Sequence, residues 1–172
     1  MTYCDNKNEM LPIVDNCGNV LGKMTREKAH NGSKILHPVV HLHVFNSQGE
    51  LFLQKRPVWK DIQPSKWDTA CGGHIDYGES IEQALRREVQ EELNITDYIP
   101  QLLKSYIFES DREKELIHVY TTIYDKDITP NCTELDSGKF WKMSEIDKNI
   151  GKSVFTPNFE NEYISFVKNM MK

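Results

Sequence analysis

A membrane-spanning helix needs about 20 consecutive apolar residues, and no stretch of this chain approaches that length. The N-terminus also lacks the basic-then-apolar pattern of a secretory signal. The expected location is therefore the cytoplasm, with no membrane partner. Cysteine is sparse: Cys4, Cys17, Cys71 and Cys132 are scattered without Cys-x-x-Cys spacing. That pattern argues against a disulfide framework and against a thiolate zinc site. A basic excess is missing too. The net charge is −5 over 172 residues, so no general positive field attracts nucleic acid. A phosphorylated small molecule would need local cations to offset this acidity. Internal repeats and low-complexity tracts are absent.

What is present suffices for a single domain with a real core, since 38% of the residues are hydrophobic. Before residue 35 the pattern suggests a hairpin around the Asp15–Asn19 turn and a short helix capped by Thr25 and reaching His30. Residues 39–45 and 51–56 read as paired strands, 57–67 as an irregular loop, and 67–71 as an extended lead into a glycine loop. Ser80 can cap a helix whose Ile81, Ala84, Leu85 and Val89 form a buried stripe. Strand candidates follow at 102–108, 116–124 and 134–141, the first two joined by the charged stretch 109–115. Ser144 can open a short helix. Thr156-Pro157 can open a C-terminal helix with an apolar face of Phe159, Tyr163, Phe166, Val167 and Met170. Strands interleaved with helices predict an α/β sandwich.

The segment from Gly73 to Ile95 carries the chemistry. On a helix, Glu88, Glu91 and Glu92 fall at i, i+3 and i+4, so their carboxylates converge. Such crowding is repulsive unless a hard divalent cation joins the group. Arg87 and Glu79 add an opposite-charge pair able to pin the loop to the helix. Together Gly73, Glu79, Arg87, Glu88, Val89, Glu91, Glu92 and Ile95 resemble the signature of the Nudix superfamily. One position departs: Asn94 stands where the family has glycine, and asparagine also tolerates the left-handed backbone needed after a helix end.

The resemblance covers residues 36–168 and leaves 1–35 as an N-terminal extension. It implies a mixed central sheet between helical layers with a C-terminal helix, and two or three Mg²⁺ or Mn²⁺ ions. It also implies a small-molecule diphosphate substrate, such as a nucleoside diphosphate linked to another group, handled by a monomer or homodimer. Glu88, Glu91 and Glu92 are then the candidate metal ligands. Glu91, Glu88 and Arg87 are the catalytic candidates, and a glutamate from a later loop is an alternative base. Lys55 and Arg56, at a strand end, are candidate phosphate contacts or an ordinary solvated terminus.

A second resemblance lies within the same superfamily. Type 1 isopentenyl-diphosphate isomerases hold a metal with two histidines seven positions apart, a third near the glycine loop, and a Glu-x-Glu pair. His30, His37, His74, Glu113 and Glu115 stand in matching order and form a possible second metal site. Three features count against isomerase chemistry. Gly72 occupies the position of the isomerases' catalytic cysteine, while Cys71 lies one residue earlier and is expected to face the core. Asn158 replaces an aromatic residue. The acids at Glu88 and Glu91, eroded in the isomerases, are intact here. Hydrolysis of a pyrophosphate bond is the leading expectation, isomerisation the alternative, and a non-catalytic module binding a nucleotide-like ligand the third. His41 and His43 share one strand face, which either meets substrate or is a polar face covered by a neighbouring element. Trp59 and Trp67 either stack on substrate or anchor their loop.

Overall fold

Residues 6–170 are described by the computed structural model. Strands β1 (Met10–Val14) and β2 (Val20–Thr25) pair as an antiparallel hairpin. Its turn is held by Asp15, whose carboxylate accepts from the Cys17 and Asn19 amides. Thr25 then caps the single-turn helix α1 (Arg26–Ala29) through a bond from the Lys28 amide. Cys4 lies outside the described residues, and Cys17, Cys71 and Cys132 are free thiols.

The main sheet is built around β3 (Leu36–Phe45), three residues longer than its alternation alone suggests. The strand order is β5 (Trp67–Thr69), β4 (Leu51–Lys55), β3, β8 (Lys114–Ile123), β7 (Gln101–Glu109). Two more strands join it, β6 (Cys71–His74) against β3 and β9 (Ser137–Trp141) against β4. β3 and β8 run parallel while the other pairs are antiparallel, so the sheet is mixed.

Helices cover both faces. Val40, Leu42 and Val44 of β3 meet Ala84, Leu85, Val89 and Leu93 of α2 (Ile81–Leu93). On the other face Phe45, Leu51 and Leu53 meet Ile146 of α3 (Met143–Asn149), and Phe159 and Tyr163 of α4 (Pro157–Ser165). Each of the larger side chains contributes about 1.5–3 kcal/mol on full burial, which fixes the three helices on the sheet. This is the α/β/α sandwich expected from the sequence. No helix among the described residues is long and apolar enough to cross a membrane.

Four local expectations need correction. The glycine segment is a strand, because Gly72 and Gly73 pair with His41 and Val40 of β3. Glu115 belongs to β8 and lies beside His37, outside the charged turn. Lys142, not Ser144, precedes the first residue of α3. The C-terminal helix ends at Ser165, and Val167–Asn169 forms a separate 3₁₀ turn. Phe166 leaves helical geometry there and sets its ring edge-on against Tyr106 of β7, while Met170 is exposed.

Candidate active site

The acidic helix begins with a full capping box. Ser80 accepts from the Gln83 amide, and the Gln83 side chain accepts from the Ser80 amide. It ends at Asn94, whose φ of 56° is the left-handed conformation that asparagine tolerates. Between these caps the buried stripe lies on β3 and β6, and the acids reach the edge of β6. Gly73 makes that approach possible. A Cβ at this position would stand 2.0–2.4 Å from three atoms of the Glu88 carboxylate, so only glycine leaves Glu88 its place.

Arg87 fixes this arrangement. Its Nε and Nη2 donate to the two oxygens of Glu79 at 2.9 and 2.8 Å, and Nη1 donates to Glu88 at 2.6 Å. Nη2 also donates to the His74 carbonyl at 3.0 Å. One guanidinium thus joins the loop after β6, the β6 backbone and the helix. The Glu79 hydrogen bond raises the Arg87 pKa further. Despite partial burial, Glu79 is held below the usual carboxylate range by the same contact.

The three acids do not share one environment. Glu91 is exposed, Glu88 is half-buried and Glu92 is buried. Burial pushes Glu88 up to about 7, against the pull of Arg87, and pushes Glu92 up to about 8, with Glu88 adding repulsion. Glu92 accepts from the Gly72 amide at 3.3 Å. The convergence expected from helical spacing is present, but the group is far less solvated than an acidic surface face.

The histidines come together beside this group. The parallel register places His37 next to Glu115, and the antiparallel register places His74 opposite Val39 on the same face. His30 arrives from the end of α1, where the Gly32 amide donates to the Arg112 carbonyl and fixes the turn to the β7–β8 hairpin. One ligand atom from each of His30, His37 and His74 lies within 4.8 Å of the others. Glu113 approaches His30 Nε2 at 3.3 Å, and Glu115 accepts from Asn158 at 3.2 Å. Burial keeps His37 and His74 below the usual histidine range, in the neutral form that binds metals. His37 faces the Ile35 carbonyl through Nδ1, at 3.1 Å, and its buried Nε2 has no hydrogen-bond partner among the described residues. An orphaned ring nitrogen beside two other imidazoles fits a metal ligand whose other nitrogen sets the tautomer.

The three acids line one cavity of about 440 Å³ with His30, His74, Glu113 and Glu115, together with Arg26, Arg56 and Lys60, while His37 lies buried behind its wall. Arg56 is held there by Asp68 and the Ile62 carbonyl. Lys55 is not among the lining residues and pairs instead with Asp136 at 3.3 Å. Strand alternation separates the two, since Gln54 and Arg56 share the cavity side and Lys55 takes the other. Sequence reasoning also missed Glu9 and Arg26, paired at 2.8 Å in the extension and lining the same cavity. Trp59 lines it as well, while Trp67 packs edge-on against Trp141. Cys71, expected to face the core, does so beside Val40 and Leu42, and burial raises its thiol pKa.

Comparison with known proteins agrees with this geometry. A model of the NUDIX domain matches residues 35–159. The chain belongs to the Nudix family. Among relatives of this Nudix protein, an isopentenyl-diphosphate Delta-isomerase of Serratia proteamaculans is 31% identical over 122 residues, covering 68% of this chain and 67% of the isomerase. An uncharacterised Nudix hydrolase of Listeria monocytogenes is 32% identical over 136 residues, covering 78% of this chain and 80% of the relative. A crystal structure of a Deinococcus radiodurans protein shares the fold with a TM-score of 0.76 at 23% identity, covering 89% of this chain and 96% of that one.

If Glu88 and Glu92 hold a cation, their raised pKa values would make its binding release protons, because only the ionised carboxylates are ligands. Calorimetric titration with Mg²⁺ at pH 7 is expected to give heats that depend on the buffer's ionisation enthalpy. That dependence should fade by pH 9, where Glu88 and Glu92 are already ionised. Buffer-independent heats at pH 7 would contradict protonated acids at this site.

Proposed function

We propose that this Nudix protein is a divalent-cation-dependent hydrolase. It splits the pyrophosphate bond of a nucleoside-diphosphate-linked or related small diphosphate. One observation carries the reading: Glu88, Glu91 and Glu92 are all present at the cavity, with Glu88 seated over Gly73 and tied by Arg87. The all-oxygen donor set fits Mg²⁺ or Mn²⁺. A cation bound there would supply neutralisation of phosphate charge and activation of water. Arg87 holds Glu88 in register with the β6 backbone, and Arg56 presents positive charge from the opposite wall. A glutamate of the cluster takes the proton from the attacking water. The scattered thiols suit a cytoplasmic enzyme.

Isomerisation is the second reading, favoured by the gathering of His30, His37 and His74 at the cavity wall, where His30 and His74 line it, and by the named isomerase relatives. Those imidazoles, with Glu113, would suit a softer cation than the oxygen cluster does. Against this reading, Cys71 is buried away from the cavity, and Asn158 offers no aromatic face to a carbocation.

A panel of nucleotide sugars, dinucleotides, coenzyme A and isoprenoid diphosphates, each with Mg²⁺ and Mn²⁺, tests both readings. Hydrolysis is expected to release phosphate or a nucleoside monophosphate, and Cys71→Ala is expected to keep most of that activity. Deuterium exchange into a five-carbon diphosphate without phosphate release, abolished by Cys71→Ala, would establish the isomerase instead. A protein that is stabilised by these compounds yet turns none over would be a binding module.

A further inference from the structure

Behind the acids, α4 carries a carboxylate that the chemistry above does not use. Glu162 is fully buried, where an unpartnered charge would be very costly. Three groups from two strands surround it: His41 Nδ1 at 2.7 Å, His43 Nε2 at 2.5 Å and the Tyr106 hydroxyl at 2.8 Å. Despite its burial, contacts with His41 and, more weakly, His43 hold Glu162 well below the usual carboxylate range, so it accepts all three bonds. His43 and Tyr106 would be enough to tie α4 to the sheet.

His41 differs from them, because its ring lines the cavity that holds the acids and imidazoles. Its Nε2 has no hydrogen-bond partner among the described residues. Gly72 creates the opening. It lies across from His41, and a Cβ there would stand 3.1 Å from His41 Cδ2 and 3.4 Å from Nε2. Consecutive residues of a strand face opposite ways, so Gly73 admits Glu88 on one side and Gly72 admits His41 on the other. Burial alone would lower the His41 pKa, but Glu162, and more weakly Glu115 and Asp68, raise it to about 9. The ring therefore keeps a proton on both nitrogens at neutral pH. The guanidiniums nearby are already engaged, Arg87 by Glu79 and Glu88, and Arg56 by Asp68.

We propose that His41 contacts the substrate, donating its Nε2–H to a non-bridging oxygen of the diphosphate, with Glu162 as the positioning residue that orients the ring. This rests on the hydrolase reading and adds a cationic donor to a cavity whose carboxylates outnumber its arginines and lysines. A charge-assisted bond of this kind fixes the phosphate without exchanging a proton.

The test uses protein labelled with ¹⁵N-histidine, and methylenediphosphonate, a diphosphate mimic whose bridging carbon resists hydrolysis. At pH 7 the His41 ring is expected to show two protonated nitrogens. Its Nε2 resonance should move when the mimic is added with Mg²⁺, and not with Mg²⁺ alone. Glu162→Gln should turn the ring neutral at pH 7, a signature that a purely mechanical tie would not produce. His41→Asn should weaken the mimic about tenfold or more, with the affinity for Mg²⁺ unchanged. A His41 signal unmoved at saturating mimic overturns the proposal alone, and the unsubstituted protein gives that answer even if the variants do not fold. Failure of the unsubstituted protein to bind the mimic at all would overturn the hydrolase reading together with it.

Discussion

Glu92→Gln is expected to lower turnover of a diphosphate substrate by about 10²–10⁴-fold while leaving the metal-free fold at least as stable. The side chain is buried, its pKa stands near 8, and the Glu88 carboxylate repels it. Glutamine has the same shape and can still accept from the Gly72 amide. The sign of the pH dependence follows from the raised pKa. Between about pH 4.5, where an unfolded glutamate ionises, and about 8, the folded parent holds a proton that the unfolded chain has lost. Its stability therefore falls as pH rises through that window. The variant has no such loss at position 92, so its advantage in metal-free melting temperature should grow from pH 5 to pH 9. Added Mg²⁺ should reverse the order, since the parent gains binding free energy that the variant lacks. Phosphate-release assays and thermal melts with and without the cation read both effects. Unchanged turnover would remove Glu92 from the cation site.

Gly73→Ala isolates the geometric requirement. The backbone at Gly73 is not in the left-handed region, so alanine is sterically admissible to the chain itself. The added methyl would instead occupy the space of the Glu88 carboxylate, at 2.0–2.4 Å. Because that carboxylate ends a flexible side chain, it can swing aside at modest cost to stability. It cannot then keep its bond with Arg87 and its place at the cavity. The expected result is a cation affinity reduced about 10–100-fold, and turnover reduced at least as much, with a melting temperature within a few degrees of the parent. Gly72→Ala is the control for cation affinity alone, since its methyl meets His41 at 3.1 Å and the Val40 carbonyl at 3.8 Å but none of the acids. Mn²⁺ titration followed by electron paramagnetic resonance distinguishes the two. Equal affinities in Gly73→Ala and the parent would show that the seat of Glu88 does not govern cation binding.

The acidic helix was legible in the sequence because its determinants are local. A cap at Ser80, a stripe at Ala84, Leu85 and Val89, and a tolerant residue at Asn94 lie within one short segment. The core-facing position of Cys71 was equally readable from alternation in an extended chain. Long-range pairing hid the rest. Nothing near His41 points to Glu162, 121 residues away, and only the sheet register shows which strand face α4 covers. The parallel alignment of β3 with β8 is likewise needed to bring Glu115 beside His37. The burial of the acids is hidden for the same reason. Helical spacing makes Glu88 and Glu92 neighbours, but β6 and the cavity walls remove them from water. Glu9 and Arg26 are not legible because neither the polar lead into a weak hairpin nor the single-turn helix after it carries a signal of where it docks.

The parallel pairing of β3 and β8 has a consequence for biogenesis. A chain emerging from the ribosome presents His37, His41 and His43 long before their partners exist. Glu115 appears only after the whole motif helix, and Glu162 later still, so the pocket closes only once α4 has been made. Contacts this distant along the chain make assembly slow, and the later synthesis of α4 leaves the imidazole-bearing strand uncovered while the intervening residues are made.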